Sequence, residues 1–260
     1  MRRPIHYAAL LALPALAWGG VTLAQPGPAQ PGPALPPEYR AYLTPLGISR
    51  DAIAPAPTHG SPREAYDRAV FAKTRALEGS PRWTLAQADA GRGVMKAFSC
   101  AAGLSLTDRV PALTKLLSRY RTDLINATRA ASPRPYQLEK GATCLSDKPL
   151  QTAGGTPMIQ AAWGWTVATI LAEALPERTD ALMTRARAFG ESAAICGFAG
   201  ASEVHGGRDL GSAMLARARA LPEFAADLAQ AQAELRALAK AGTPAPEGCA
   251  AEGALTAPAF

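Results

Sequence analysis

Residues 190–205 hold the densest group of side chains that could do chemistry. They include a hydroxyl on Ser192, a carboxylate on Glu203 and an imidazole on His205. A serine becomes a nucleophile when a neighbouring base takes its proton. The sequence implies no acid–base partner next to Ser192, so we interpret Ser192 as a helical serine packed among small residues. We expect His205 to be a partly exposed or capping histidine rather than a catalytic one.

Metal chemistry finds little support in the spacing of the possible ligands. The chain has 3 histidines, of which His6 lies near the start and His59 in a proline-rich loop. Its cysteines have no close ligand spacing, and an even cysteine count in an exported chain favours disulfides. Three connectivities are open among Cys100, Cys144, Cys196 and Cys249. We therefore predict disulfides, with no metal and no cofactor.

Two further features suggest ligand binding only weakly. Gly154-Gly155 has the flexibility of a phosphate loop, but no Gly-Lys-Ser follows it. Trp163 and Trp165 could line a ligand pocket, although aromatic side chains at such positions more commonly pack in a core.

The first residues have the pattern of a secretory signal peptide over 1–24. Arg2 and Arg3 precede an apolar run over 8–17, and a small-residue cleavage site ends at Ala24. An uncleaved anchor is the alternative, but Pro14 disfavours a stable spanning helix. We predict a periplasmic or secreted protein with no stable membrane span after signal cleavage.

The charge and composition narrow the class of protein. The chain carries 27 basic and 21 acidic side chains, a formal net charge of +6. Loss of Arg2 and Arg3 with the signal would leave +4, spread along the chain. This argues against a nucleic-acid-binding protein, which would concentrate basic residues in one patch. Alanine is abundant, aromatic residues make up 6% of the chain, and strand-like alternation is almost absent, which predicts an all-α protein.

Proline and glycine divide the chain into regions. Residues 25–57 are rich in Pro, Gly and Ala and are predicted to form a linker and loop. Residues 58–241 are predicted to form one helical domain that opens with a capping box at Ser61 and Glu64. We expect helices to end near 77, 90, 102, 131, 175 and 196, and a last one to begin at Pro222. Gly206-Gly207 weakens the expectation of regular helix there, and the tail over 242–260 is expected to be loose.

Several stretches occur in an order and at a spacing that match one protein family. They are residues 67–71, 74–83, 89–90, 164–165, 171–173, 176–178, 195–198 and 222–224. Over about 60–240, the chain resembles the bacterial class A non-specific acid phosphatases of the phosphatidic-acid-phosphatase type 2 and vanadium haloperoxidase superfamily. The resemblance implies a single compact multi-helix domain of the acid phosphatase and haloperoxidase type.

Three signatures of that family can be placed on this sequence. The first reads Lys, six residues, Arg-Pro; the second reads Pro-Ser-Gly-His; the third reads Ser-Arg, five residues, His, three residues, Asp. Ser192 fits the third signature. The other active-site positions are occupied here by Ala127, Arg134, Met158, Ile159, Gln160, Ala193, Ala199 and Glu203.

The resemblance assigns a role to each of these positions. In the family, the third-signature His attacks phosphorus, the Asp orients it, and the second-signature His protonates the leaving group. Here those positions are Ala199, Glu203 and Gln160. Without a nucleophile no phosphohistidine forms, and a glutamine forfeits the roughly 10²–10⁴-fold contributed by a general acid. Among the anion-binding groups only Arg134 survives. The resemblance also implies a Cys144–Cys196 disulfide, which leaves Cys100 to pair with Cys249.

The leading hypothesis is an exported acid-phosphatase-like protein that has lost phosphomonoesterase catalysis. It would serve as a binding or structural module for an unknown small molecule or protein partner, with no nucleic-acid role and with homo-oligomers open. One alternative is an active phosphatase with a rearranged site, and another is a protein that interacts through its surface.

Overall fold

The computed structural model describes residues 40–43, 52–91, 93–107, 109–128, 132–133, 143–144 and 155–260. All of them belong to a compact unit, Leu35–Phe260. The proposed signal peptide and much of the predicted linker lie outside the described residues. None of the helices in this part of the chain is long and apolar enough to cross a membrane.

Helices dominate the described residues and confirm the all-α prediction. The only extended pairing among them is a short antiparallel one between β1, Ser132–Pro133, and β2, Gly155–Thr156. The helices are α1 Pro62–Arg75, α2 Pro81–Gly91, α3 Val94–Ala102, α4 Pro111–Thr128, α5 Ile159–Ala174, α6 Thr179–Ile195, α7 Ala201–Arg219, α8 Pro222–Lys240 and α9 Cys249–Ala254, with a 3₁₀ turn at Pro176–Arg178.

The first helix shows how local sequence sets a boundary. Ser61 caps α1 by accepting a hydrogen bond from the backbone N–H of Glu64 at 3.2 Å, and Pro62 supplies the first helical residue. The carboxylate of Glu64 turns back to the N–H of Gly60 at 2.6 Å, rather than to that of Ser61 as an ideal capping box would. The predicted start of the helix is therefore right, although the return bond goes to the neighbouring residue.

Helix α5 lies at the centre of the fold and packs against α6, α7, α4 and α8. It is buried on nearly every side, which suits a helix that is apolar all round. Around it the largest fully buried side chains fill the core: Phe98, Leu106, Leu113, Leu116, Tyr120, Leu124, Ile170, Leu171, Leu175, Leu182, Ile195 and Phe224. This core holds the ends of α5, α6 and α7, where the signature positions lie, in fixed relative positions.

Helix α7 corrects the expectation that Gly206-Gly207 interrupts regular structure. Both glycines lie inside the helix. A β-carbon on Gly207 would lie 2.8 Å from Cβ of Ala161 and closer still to the carbonyl oxygen of Met158. One on Gly211 would lie 2.7 Å from the carbonyl oxygen of Ala162. These glycines therefore permit α7 to approach α5 closely, and that packing outweighs their low helix propensity.

The tail after Gly242 was expected to be loose, and the structure corrects this as well. It contains α9, and a Cys100–Cys249 disulfide joins it to α3 with a Cα–Cα distance of 5.1 Å. Further along, the N–H of Ala259 donates to Oε2 of Glu191 at 3.1 Å. Composition alone misled because the covalent link and these polar contacts hold a segment that has little apolar surface of its own. The second disulfide, Cys144–Cys196, also forms, so both predicted pairings are confirmed.

Candidate functional site

The structure brings together positions from two of the three family signatures. Ala193 near the end of α6 and Ala199 in the loop before α7 belong to one buried cluster. Its other buried members are Ala161, Ala194 and Val204, and Met158 packs against it from the start of α5. Ala193 and Ala199, at the Arg and His positions of the third signature, thus lie in the same cluster as Met158, at the Ser position of the second. Where the family places cationic and hydroxyl donors, this chain has apolar side chains.

The first signature is only partly visible. Ala127 lies in the last turn of α4, partly buried and packed against the main core. It is not a member of the alanine cluster. Arg134 lies outside the described residues, so its position relative to the cluster remains a prediction.

The two histidine positions of the family have no acid–base group here. Ala199 is 2% exposed and ends in a methyl group. Gln160 lies in the first turn of α5 and donates from Nε2 to the backbone carbonyl oxygen of Phe189 at 2.9 Å. This bond ties the amide to α6, and Ile159 beside it is also partly buried. Neither position can take up or release a proton near neutral pH.

Glu203 keeps a carboxylate at the family's Asp position but uses it for structure. It is fully buried, and its Oε2 accepts a hydrogen bond from the N–H of Gly200 at 2.8 Å. Asp67 on α1 supports the same turn, because its Oδ1 accepts from the N–H of Ser202 at 2.8 Å. Carboxylates at a helix N-terminus satisfy backbone N–H groups and complement the helix dipole. Glu203 and Asp67 therefore fix the start of α7.

Ser192, which fits the third signature, is also held in a structural network. Its Oγ donates to Oδ2 of Asp89 at 2.7 Å and accepts from Nη1 of Arg82 at 3.1 Å. Arg185 forms a two-pronged ion pair with the same Asp89, with Nη1 to Oδ2 at 3.0 Å. Ser192 is 0% exposed, so no substrate reaches it. The predicted buried helical serine is therefore present, although its partners are charged.

Two histidines fall in the described residues, and neither belongs to the alanine cluster. His59 is 79% exposed and contacts Glu64, with Nδ1 to Oε2 at 3.1 Å. His205 lies on the exposed side of α7, with its ring 6.2 Å from that of Phe260. Partial burial of the ring, together with the positive charge of Arg208, lowers the pKa of His205.

A cleft of about 630 Å³ opens beside the second signature. Ile159, Gln160 and Trp163 line it from α5, Phe189 from α6, and Arg121 from α4. The ligand-pocket alternative for Trp163 thus has a structural basis. Trp165 instead packs partly buried against the core, with the guanidinium of Arg208 5.8 Å from its ring centroid.

One residue at this site could not be predicted from the sequence. Phe260, the last residue of the sequence, packs against the alanine cluster and is itself partly buried. The predicted Cys100–Cys249 disulfide was the one available clue, because it brings the tail to the helical body. It could not indicate where the residues beyond Cys249 lie.

The helical fold and the meeting of the signature positions define a protein with the architecture of the acid phosphatases. The chain is 35% identical over 204 residues to an acid phosphatase of Zymomonas mobilis subsp. mobilis, covering 74% of this chain and 77% of that protein. It is 32% identical over 195 residues to a non-specific acid phosphatase of Salmonella typhimurium, covering 70% and 78%. A non-specific acid phosphatase of Providencia stuartii is 34% identical over 201 residues, covering 72% and 81%. No protein-family model matches the sequence. On these relatives, the chain belongs to the class A non-specific acid phosphatase family.

Proposed function

We propose that this family member does not hydrolyse phosphomonoesters by the family mechanism and acts instead as an exported binding or structural module. The observation that carries the proposal is the apolar cluster at the signature positions. Ala193, Ala199 and Met158 stand together where the family uses an arginine, the nucleophilic histidine and a serine.

The missing groups would act at different points of the reaction. A methyl group at Ala199 forms no bond to phosphorus, so the covalent route is closed. Gln160 is engaged with a backbone carbonyl and releases no proton to the leaving alkoxide. Without the cationic and hydroxyl donors, the charge on the transferring phosphoryl group is uncompensated. Burying a phosphate dianion against alanine methyl groups would also cost its hydration.

The cleft beside α5 supports the binding role. Ile159, Trp163 and Phe189 give it apolar walls, and Arg121 adds a charged group. Ligand pockets commonly combine mostly apolar walls with a few polar groups that set orientation. We propose that the ligand is a small, largely apolar molecule with a polar group.

Export is part of the proposal. Two disulfides form in the described part of the chain. Disulfides persist in oxidising compartments, and the first residues have a signal-peptide pattern. A periplasmic or secreted protein fits both observations.

An active phosphatase with a rearranged site is the second candidate, and the names of the relatives favour it. Such an enzyme needs another nucleophile, and His205 is the histidine of the described residues closest in sequence to the third signature. This candidate predicts phosphatase activity that is lost in His205→Ala. The binding or structural module, by contrast, predicts no phosphatase activity either in the native chain or in His205→Ala.

Vanadate binding tests whether a phosphate site remains. Vanadate adopts the geometry of a phosphoryl group in transfer, and transition-state analogues bind an active site tightly. Calorimetric titration of the purified protein should show no saturable binding at concentrations that saturate the Zymomonas mobilis acid phosphatase. Stoichiometric binding of vanadate that inorganic phosphate displaces would contradict the proposal.

A further inference from the structure

The tail of the chain reaches the same place as the degenerate signatures. Phe260 packs against the cluster of Ala161, Ala193, Ala194, Ala199 and Val204. The cluster residues are 0–2% exposed, whereas Phe260 itself is partly exposed. The ring therefore lies over the cluster from the solvent side.

Polar contacts position the residues that precede this ring. Nη2 of Arg187 donates to the carbonyl oxygen of Thr256, and the N–H of Ala259 donates to Oε2 of Glu191 at 3.1 Å. Arg187 and Glu191 also bind each other, with Nη1 to Oε1 at 2.9 Å, one helical turn apart on α6. Glu191 is 1% exposed, so the bond to Ala259 is shielded from water. The two side chains therefore attach the backbone at Thr256 and at Ala259 to α6.

A covalent link and a second ion pair fix the tail upstream. Cys249 is bonded to Cys100 on α3. Glu252 on α9 accepts a hydrogen bond from Nε of Arg185 at 2.9 Å. The tail is therefore held at the disulfide, at Glu252, at Thr256 and at Ala259 before the chain reaches Phe260. This restricts the volume that Phe260 can explore and raises its effective concentration at the cluster.

From these contacts we infer that the signature positions form a pocket for an aromatic side chain, and that Phe260 is its resident ligand, delivered in cis by the tail. The replacements at residues 158, 193 and 199 then have a common physical result. Each exchanges a polar or charged group of the family signature for an apolar one, and a phenyl ring packs well on such a surface. The inference depends on family membership and on the packing of Phe260, and not on the loss of catalysis.

A truncated protein and a peptide test this pocket. Deleting residues 257–260 removes Phe260 and keeps the disulfide, α9 and Thr256. The probe is a fluorescent peptide with the sequence of residues 255–260, Leu-Thr-Ala-Pro-Ala-Phe, and the control peptide ends in Ala instead of Phe. Burying most of a phenyl ring is worth roughly tenfold in affinity. The truncated protein should bind the Phe peptide at least about tenfold more tightly than the Ala peptide. The full chain, whose own tail competes, should bind neither.

Equal affinity for the two peptides, with the truncated protein folded by circular dichroism, would overturn the inference. If truncation prevents folding, Phe260→Ala in the full chain provides the second test. The vacated apolar site should take up a small aromatic such as benzene, so benzene should raise the Tm of Phe260→Ala more than that of the native chain. Equal shifts in Tm would overturn the inference as well.

A phosphatase assay on the same truncated protein separates this inference from the proposed function. Hydrolysis that appears only after truncation, together with tight binding of the Phe peptide, would support the pocket and contradict the loss of catalysis. Tight peptide binding without hydrolysis would support both.

Discussion

Replacing Arg185 with methionine should destabilise the protein strongly, because it breaks the buried network around the signature serine. Arg185 is 2% exposed and donates to both carboxylate oxygens of Asp89. Its Nε also lies 3.1 Å from the carbonyl oxygen of Ala97 and 2.9 Å from Oε1 of Glu252. Methionine is unbranched but shorter and uncharged, so the buried Asp89 carboxylate loses the guanidinium that binds both of its oxygens.

The size of the effect follows from the burial of the pair. Removing one partner of a buried ion pair costs about 3–5 kcal/mol, because the other charge stays desolvated. For a domain of this size, each kcal/mol lowers Tm by about 2–4 °C, so Arg185→Met should lower Tm by about 6–20 °C. The double variant Arg185→Met with Asp89→Met removes both charges and should recover part of that loss.

Thermal unfolding followed by circular dichroism measures this prediction. Arg217 on α7 is exposed, and Arg217→Met serves as the matched control, with an expected change within about 0.5 kcal/mol. A Tm for Arg185→Met within about 2 °C of the control would refute the argument that the network is structural. A double variant less stable than Arg185→Met would show that the loss of stability does not come from leaving the Asp89 carboxylate buried without Arg185.

Two further predictions concern packing and acid stability. Gly207→Ala should lower the free energy of unfolding by about 1–3 kcal/mol, because the new methyl group meets the backbone at the start of α5. Gly253→Ala in α9 has open space and serves as the control, with an expected effect that is neutral or slightly stabilising. Urea unfolding of the two variants compares them. Burial acts to raise the pKa of Asp227, but the hydrogen bond from Lys115, helped by that from Tyr42, outweighs it and holds the pKa below its usual value. Asp227 therefore stabilises the protein above about pH 4, and that stability is lost as the pH falls through the lowered pKa of the folded state. In Asp227→Asn the free energy of unfolding should fall less steeply as the solution is acidified. A pH profile of unfolding identical to that of the native chain would contradict this prediction.

The starts of helices such as α1 and α8 could be predicted from local sequence signals. Ser61 and Pro62 mark the start of α1, and Pro222 marks that of α8 as predicted. These features act within one or two turns, which is the range over which capping and proline geometry operate. The disulfide pairing came from the family resemblance, since the cysteine count alone left three connectivities open.

Contacts between residues far apart in the sequence could not be predicted from such local signals. Gly207 appeared to weaken a helix, yet its role is to admit α5, and no local pattern identifies a neighbour that is 45 or more residues away in sequence. Ala259 meets Glu191, and Phe260 meets the alanine cluster, only because the tail folds back onto α6. Composition describes how a segment behaves alone, and this tail is held by contacts with the rest of the domain.

The candidate site was predicted as a set of positions and could not be predicted as a geometry. The signatures identified Ala193 and Ala199, and the structure adds that they are buried together with Met158. The amide of Gln160 donates to a backbone carbonyl oxygen of α6. This hydrogen bond depends on where α6 lies relative to α5, which side-chain periodicity does not specify. The relatives are named acid phosphatases, and that likeness favours the second candidate, an active phosphatase with a rearranged site.

Hydrolysis of p-nitrophenyl phosphate by the purified native chain, between acidic and neutral pH, tests the central claim most directly. The acid phosphatase of Zymomonas mobilis is the positive control, and protein free of contaminating phosphatase is required. We expect no turnover above the rate without protein, and none in Ala199→His or Gln160→His, because catalytic groups that act as a unit are not restored singly. Turnover that vanadate blocks and that His205→Ala abolishes would contradict the account and identify His205 as a relocated nucleophile.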